Sequence, residues 1–389
     1  MGKGIYLGVG GKARKVKKMY VGVGSKARKV KKAYIGVGGV ARPCFSGGEL
    51  VYYGTVTALN ERRNKLAATS VGDYALFGGG HYVDSYDSTY YRSSVEAYNT
   101  SLVHSLPTSL NEGRECLAAG TNGNYALFGG GNKSSSCSSV VDAYNVSLTH
   151  STPTALSTAR RRLASASVGS YILFGGGDNT KSTYYATVDA YNSSLTRSTP
   201  TALSATRGSL AATSVGNYAL FGGGTRGVNS FYNLVDAYNA SLTRSTPTAL
   251  SVSRTDLAAT TVGDFALFGG GYYSYDSTDY SYCRTVDAYN SSLTRSTPTE
   301  LNKPCYKGAA ASIKEYALFG GGYFQNLQIN GVTAYNASLI RSIPDSLSKN
   351  REFLAAASVG NYVLFGGGYG GEYIGDGNYY ATVDVYTVE

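Results

Sequence analysis

The string LFGGG occurs seven times in this chain, with its phenylalanine at Phe77, Phe128, Phe174, Phe221, Phe268, Phe319 and Phe365, at intervals of 46 to 51 residues. The flanks recur as well: a small, β-branched stretch of the LAATSVGNYA type comes before each copy, and an apolar-acidic-apolar-Tyr string of the VDAYN type follows most of them. One supersecondary unit has been copied seven times. A period near 50 residues means that each unit buries its apolar faces against its neighbours.

The fourth copy shows what the unit is. Leu210 opens the run LAATSVG and Tyr218 opens YALF, with Gly216 and Asn217 between them as a tight turn. Val235 starts a third strand, VDAY, and Leu242 a fourth, LTRS, bounded by the turn formers Asn239 and Pro247. Four antiparallel strands with two apolar faces predict a blade, and seven blades predict an all-β, seven-bladed β-propeller over residues 50–389. The last copy reaches VDVY at Val383 and lacks a fourth strand, whereas TVTALN at Thr55 precedes the first blade and matches TPTALS at Thr246. The N-terminal strand is therefore expected to complete the last blade and close the ring, leaving no open sheet edge.

An apolar run ending in Gly-Gly, a variable segment, an apolar-acidic-x-Tyr strand and an Arg ahead of the first strand resemble the kelch repeat. The resemblance implies a propeller that serves for recognition or, in some members, as a copper oxidase or sugar epimerase. One departure is plain. The Trp usual about seven positions after the Tyr is serine here, as at Ser105, Ser151 and Ser198, and the chain has no Trp.

The net charge of +10 is not spread evenly. Residues 1–43 hold twelve Lys or Arg and no acid, which leaves 23 bases against 25 acids in the remainder. Tyr6, Tyr20 and Tyr34 mark a second repeat of 14 residues, YLGVGGKARKVKK and its variants. Each copy reads as two short strands, such as 20–23 and 27–31 joined at Gly24 and Ser25, with Val16 and Val30 alternating against lysines. Units this small need partners. Residues 44–49 read as a linker.

These tandem units resemble those at the front of tail and fibre proteins of phages and prophages of Gram-positive bacteria. They are also similar to the strand-turn-strand units of trimeric fibre shafts. The resemblance implies an adaptor or oligomerisation module, with a trimer favoured. Its partners would be tail or baseplate proteins, and the protein would reside in a virion or tail-like particle. A polyanion-binding arm and a solvated basic tail are the other readings of the charge, with nucleic acid the less favoured partner. No run of 18 apolar residues exists and the first residues lack the apolar core of a signal peptide, so neither membrane insertion nor secretion is expected.

Comparing the copies with one another separates scaffold from variable surface. The segment between GGG and the third strand varies in length from 9 to 14 residues and in every position. It is rich in aromatics: Tyr82, Tyr86, Asp87, Tyr90 and Tyr91 in the first copy, Tyr184 and Tyr185 in the third, Phe231 and Tyr232 in the fourth. The fifth carries Tyr272, Tyr273, Tyr275, Asp276, Tyr280 and Tyr282, the sixth Tyr323 and Phe324, and the seventh Tyr369, Tyr373 and Tyr379. Tyrosine gives a large rigid surface with a hydroxyl at low entropy cost, which suits sugars, and Ser, Asp and Asn add adaptable hydrogen bonds. These segments are expected to share one face with the loops between blades and to bind a cell-surface glycan or protein.

An Arg lies four residues after a shared Leu in six copies, and the third strand carries an acid in the same six. The sixth copy has Cys305 and Thr333 instead. Because both charges are lost together, structural pairs are expected: Arg63 with Glu96, Arg114 with Asp142, Arg160 with Asp189, Arg207 with Asp236, Arg254 with Asp287 and Arg351 with Asp384. Six N-x-S sequons, from Asn99 to Asn336, all follow the strand-ending Tyr and read as turn asparagines rather than glycan sites. The five cysteines are odd in number and scattered, which favours free thiols. The three histidines do not suit a metal: His104 and His150 are repeat-equivalent and His81 stands alone in a loop. Asp84, Asp87, Asp276, Asp279, Glu372 and Asp376 could supply two glycosidase carboxylates, but no spacing singles out a pair. The expectation is a binding protein with no cofactor, no metal and no catalytic residue. A structural decoration binding only neighbouring subunits and a kelch-type carbohydrate-active enzyme are the alternatives.

Overall fold

The computed structural model describes residues 6–9, 12–15, 20–23, 26–30, 32–37, 40–46, 48–227, 229–276, 279–371 and 378–389. Side chains are described at Tyr20, at Val30 and from residue 48 onward except at 228, 274–281 and 372–377. All regular structure among these residues is β, and residues 50–389 form a seven-bladed propeller. The fourth blade is Ala211–Val215, Tyr218–Gly222, Val235–Asn239 and Arg244–Ser245 in antiparallel order. The last consists of Ala355–Val359, Tyr362–Gly366, Val383–Val388 and the N-terminal strand Leu50–Val56. First strands of successive blades stand side by side around a central channel, and Ala355–Val359 lies against Ala67–Val71 to close the circle.

The triple glycine is explained by its neighbours. A Cβ on Gly222 would lie 2.8 Å from the Phe268 ring of the next blade; Gly223 has φ +69° and Gly224 φ +105°, and the Gly224 N–H donates to Arg254 O at 2.9 Å. Equivalent bonds join every blade to the next, from Gly80 to Arg114 O round to Gly368 and Arg63 O. The phenylalanine before the glycines meets the third-strand tyrosine edge to face, as with Phe221 and Tyr238 at 5.9 Å, and the buried tyrosine hydroxyl reaches the preceding loop, Tyr238 to Thr201 O at 2.7 Å. Ser105, Ser151 and Ser198, where kelch repeats carry Trp, are exposed, so there is no interior space there to fill.

The fourth strands are shorter than the sequence implies: LTRS gives only Arg244–Ser245. Asn239 Oδ1 accepts the N–H groups of Ser241 and Thr243, which puts Leu242 at φ +59° in a turn. All six sequon asparagines make this pair of bonds. In the N-terminal region Tyr6–Val9 pairs with Lys12–Lys15, and Tyr20–Val23 with Lys26–Lys29. Residues 44–46, read as linker, are strand instead: Val40–Ser46 pairs with Lys32–Val37, and a register shift between Ala33 and Tyr34 lets Pro43, which has no N–H, sit in the ladder. Gly24, Ser25 and Val16 lie outside the described residues or side chains.

The six arginines and their acids are fully buried and joined, with Arg207 Nη2 on Asp236 Oδ2 at 2.7 Å, Arg114 on Asp142 at 2.7 Å, Arg160 on Asp189 at 2.9 Å and Arg254 on Asp287 at 2.8 Å. Arg63 likewise meets Glu96, and Arg351 meets Asp384. The other carboxylate oxygen is capped from the fourth strand by Arg197, Arg244 or Arg295, by His104 or His150, or in the last blade by the Tyr52 hydroxyl. His104 and His150 thus do a structural task. Removing one partner leaves a buried charge unpaired, so Asp236→Ala should cost about 3–5 kcal/mol. The sixth blade manages with Cys305 and Thr333. The pair Arg207→Cys and Asp236→Thr should accordingly cost less than the sum of its single changes, by about 2 kcal/mol of coupling in a urea-unfolding double-mutant cycle.

Candidate binding face

The residue two after each Arg position lines one mouth of the channel: Lys65, Cys116, Arg162, Ser209, Asp256, Lys307 and Phe353. All seven have φ between +49° and +57°, a region that costs non-glycine residues on the order of 1 kcal/mol each. What holds them is a closed ring of backbone bonds, in which Cys116 N donates to Lys65 O, Arg162 to Cys116, Ser209 to Arg162, Asp256 to Ser209, Lys307 to Asp256, Phe353 to Lys307 and Lys65 to Phe353. With its side chains the ring bounds a cavity of about 220 Å³.

Around it runs a second circle of seven antiparallel bridges between the residue after each Arg position and the residue after each GGG, including Asn64 with His81, Arg161 with Asp178, Thr255 with Tyr272 and Tyr306 with Tyr323. These bridges bring the variable segments and the inter-blade loops to one face. The segments are more ordered than loops. His81–Val83 pairs with Thr89–Tyr91, Asn132–Lys133 with Ser136–Cys137, Tyr272–Asp276 with Asp279–Tyr282, and Tyr369–Gly370 with Asn378–Tyr379, while in the sixth blade the second and third strands extend into a hairpin, Tyr316–Phe324 with Leu327–Asn336.

Two aromatic groups form. Tyr82 stacks on Tyr90 at 4.9 Å, the Arg92 and Arg62 guanidinium groups lie 4.4 and 5.0 Å from the Tyr82 centroid, and Tyr379 abuts Tyr82, His81 and Tyr369. Across the mouth, Tyr282 contacts Tyr272, Tyr306, Tyr323 and Phe324, with Phe231 against Tyr272. Tyr86, at 87% exposed, and Asp87, at φ +60°, form the tip of the first hairpin, which Asp84 organises by accepting the N–H groups of Tyr86 and Ser88. Tyr90 and Tyr273 are exposed, whereas Tyr91, Tyr184, Tyr185, Tyr232 and Tyr369 are half-buried.

Two expectations change. Tyr272, read as a surface residue, is buried among the rings of Phe231, Tyr282 and Tyr306. His81 is neither isolated nor in a loop: it starts a strand, is buried, and its Nδ1 is 2.6 Å from Glu115 Oε2. The mouth ring was missed, although seven aligned positions occupied by Lys, Cys, Arg, Ser, Asp, Lys and Phe within an otherwise repetitive stretch are a readable signal. Tyr373, Glu372 and Asp376 lie outside the described residues, as do the side chains of Tyr275, Asp276, Asp279 and Tyr280. Cys116, Cys137, Cys283 and Cys305 are free thiols, and no group of three metal-ligating side chains occurs among the described residues.

Most charges at the mouth are matched: Glu115 with Lys65 at 3.1 Å and with His81, Asp178 with Arg161 at 3.0 Å and Arg162 at 2.6 Å, and Glu352 with Lys307 at 3.5 Å. Burial alone would raise the Glu115 carboxyl, but the hydrogen bond from His81 and the charge of Lys65 outweigh it and hold it at about 2. Burial pushes Asp256 upward, against Lys307 and Arg162. It also pushes the Cys116 thiol up to about 12, so this thiol is no nucleophile. Because the Glu115 carboxyl sits below its ordinary 4.5, it adds stability that is complete above that value and disappears as pH falls toward 2. Unfolding titrations should therefore show wild type more stable than Glu115→Gln at pH 5–7, with the gap closing between about pH 4.5 and 2.

No family model matches the chain, and no curated protein matches it. The solved structure of YjhT is similar in fold, with a TM-score of 0.55 over 73% of this chain and 99% of that one at 12% identity.

Proposed function

We propose that the protein is a recognition module whose tyrosine-bearing hairpins bind a carbohydrate on a cell surface, and that residues 1–43 attach it to a larger particle. The observation that carries this reading is the gathering of aromatic side chains on one face of the ring, around a polar mouth. A stacked, arginine-backed pair, Tyr82 and Tyr90, stands on one side, and the cluster about Tyr282 stands on the other. Rigid aromatic platforms rimmed by hydroxyls and amides suit the apolar faces and polar edges of sugar rings. Binding is preferred to catalysis because Glu115, Asp178 and Glu352 each sit in an ion pair with a neighbouring cation. The basic 14-residue repeats, through their resemblance to phage tail and fibre proteins, support a particle-borne adhesin of Gram-positive hosts over a free protein.

The test is adsorption of the full-length protein to Gram-positive cells and to their purified wall glycans, compared with Tyr82→Ala/Tyr90→Ala. Loss of this pair should weaken binding at least tenfold, about 1.4 kcal/mol or more, while the melting temperature stays unchanged. Equal binding by both proteins, or binding by neither, would discard the reading in favour of a decoration that contacts only neighbouring subunits.

A further inference from the structure

The repeats offer an internal standard for the outer rim. In blades two to five the fourth strand and its flanks read T-[H/R]-S-T-P-T, with exposed threonines at 149 and 152, 196 and 199, 243 and 246, and 294 and 297. In blade six the same stretch is Ile340-Arg-Ser-Ile343-Pro-Asp345, and in blade one Val103 and Leu106 replace the two threonines. Blade seven lies between these two, and its outer strand presents Tyr53. These five apolar residues are 49–59% exposed. The two threonines are thus replaced by apolar residues only in the two blades that flank the one through which the N-terminal region joins the propeller; that blade keeps Thr55 at the second position and exposes Tyr53 at its register shift. Single exposed apolar residues are ordinary; a set of them on neighbouring blades is the departure that a contact surface would explain.

The patch also has charge. Asp345 stands where the other blades carry threonine, and Glu49 and Glu389 are exposed and joined to each other through their backbones. Residues 1–43 combine twelve basic residues with repeated Tyr, Val, Leu and Ile and no acid, and two-stranded units are not stable unsupported. Only residues 47–49 separate the last N-terminal strand from Leu50, so the module is held beside this rim at high effective concentration.

We propose that the chain's own N-terminal hairpin module docks on the outer rim of blades six, seven and one, its apolar residues on Ile340, Ile343, Tyr53, Val103 and Leu106 and its bases toward Asp345, Glu49 and Glu389. Docking fixes the direction of the channel axis relative to the attachment point, whatever the opposite face binds.

The test is limited trypsin digestion of the full-length protein, since cleavage sites crowd residues 12–42. The variant Ile340→Thr/Ile343→Thr/Asp345→Thr installs residues that four other blades already carry, so the propeller should fold with an unchanged melting temperature. Cleavage in the module should be at least tenfold faster in this variant than in wild type, and Val103→Thr/Leu106→Thr should act in the same direction. Equal cleavage rates in wild type and variants would overturn docking. So would protection in wild type that fades on dilution together with an oligomer mass in light scattering, because a second copy would then hold the module.

Discussion

Everything in this ring hangs on a polar contact at the dry edge of each blade. In six blades a buried carboxylate on the third strand takes an arginine on one oxygen and a second arginine, an imidazole or a phenol on the other. One oxygen of each also accepts a backbone N–H from the residue after the shared leucine, as Asp236 Oδ1 does from Ser204 at 3.0 Å. Burying two charges brings little net stability, but fully bonded groups fix a register that apolar contact alone would leave free to slide. Blade six separates the essential from the dispensable. Thr333 has no charge and faces Cys305 rather than Arg, yet its hydroxyl still accepts Asn302 N–H at 3.2 Å. The seven blades share an acceptor for that one N–H, and the ion pair is how six of them provide it.

From this anchor the inter-blade segment has its path determined. The Arg backbone carbonyl accepts the third glycine's N–H from the preceding blade, and two residues later the chain turns through a left-handed conformation into the ring of seven bonds at the channel mouth. Because that ring uses only backbone groups, its closure does not depend on the side chains at those positions, and the sequence varies there. The strain of seven positive φ values is carried by the scaffold and places seven variable side chains in one small circle.

Repetition made most of the architecture legible. Blade number, closure by residues 50–56, the six Arg–acid pairs and the asparagine turns can all be read by laying seven copies side by side, since each is a local demand repeated in every unit. What could not be read comes from contacts between copies that differ. His81 looks solitary along the chain, but its partner Glu115 belongs to the next repeat. Tyr272 looks like its exposed neighbours in sequence, yet it is packed against Phe231 and Tyr306 from the segments on either side. Neither pairing has a periodic signature. The continuation of the last N-terminal strand through residues 44–46 was hidden by Pro43, a residue that argues against a strand unless a register shift absorbs its missing N–H.

Variation in a repeat protein therefore divides by location. At the channel mouth and in the hairpins it is unordered, each blade differing from every other, as expected of a surface shaped to something irregular. On the outer rim it is ordered: four blades keep both threonines, and the apolar replacements fall on blades six and one, which flank the blade where the N-terminal region joins. A ligand on the axial face would have no reason to alter the fourth strands of blades six and one, which point away from the axis, and the blade contacts are unaffected because these positions are exposed. On the proposed function and the proposed docking, the two patterns answer to two different contacts, one at the axial face with something foreign to the chain and one at the rim beside the chain's own basic hairpins.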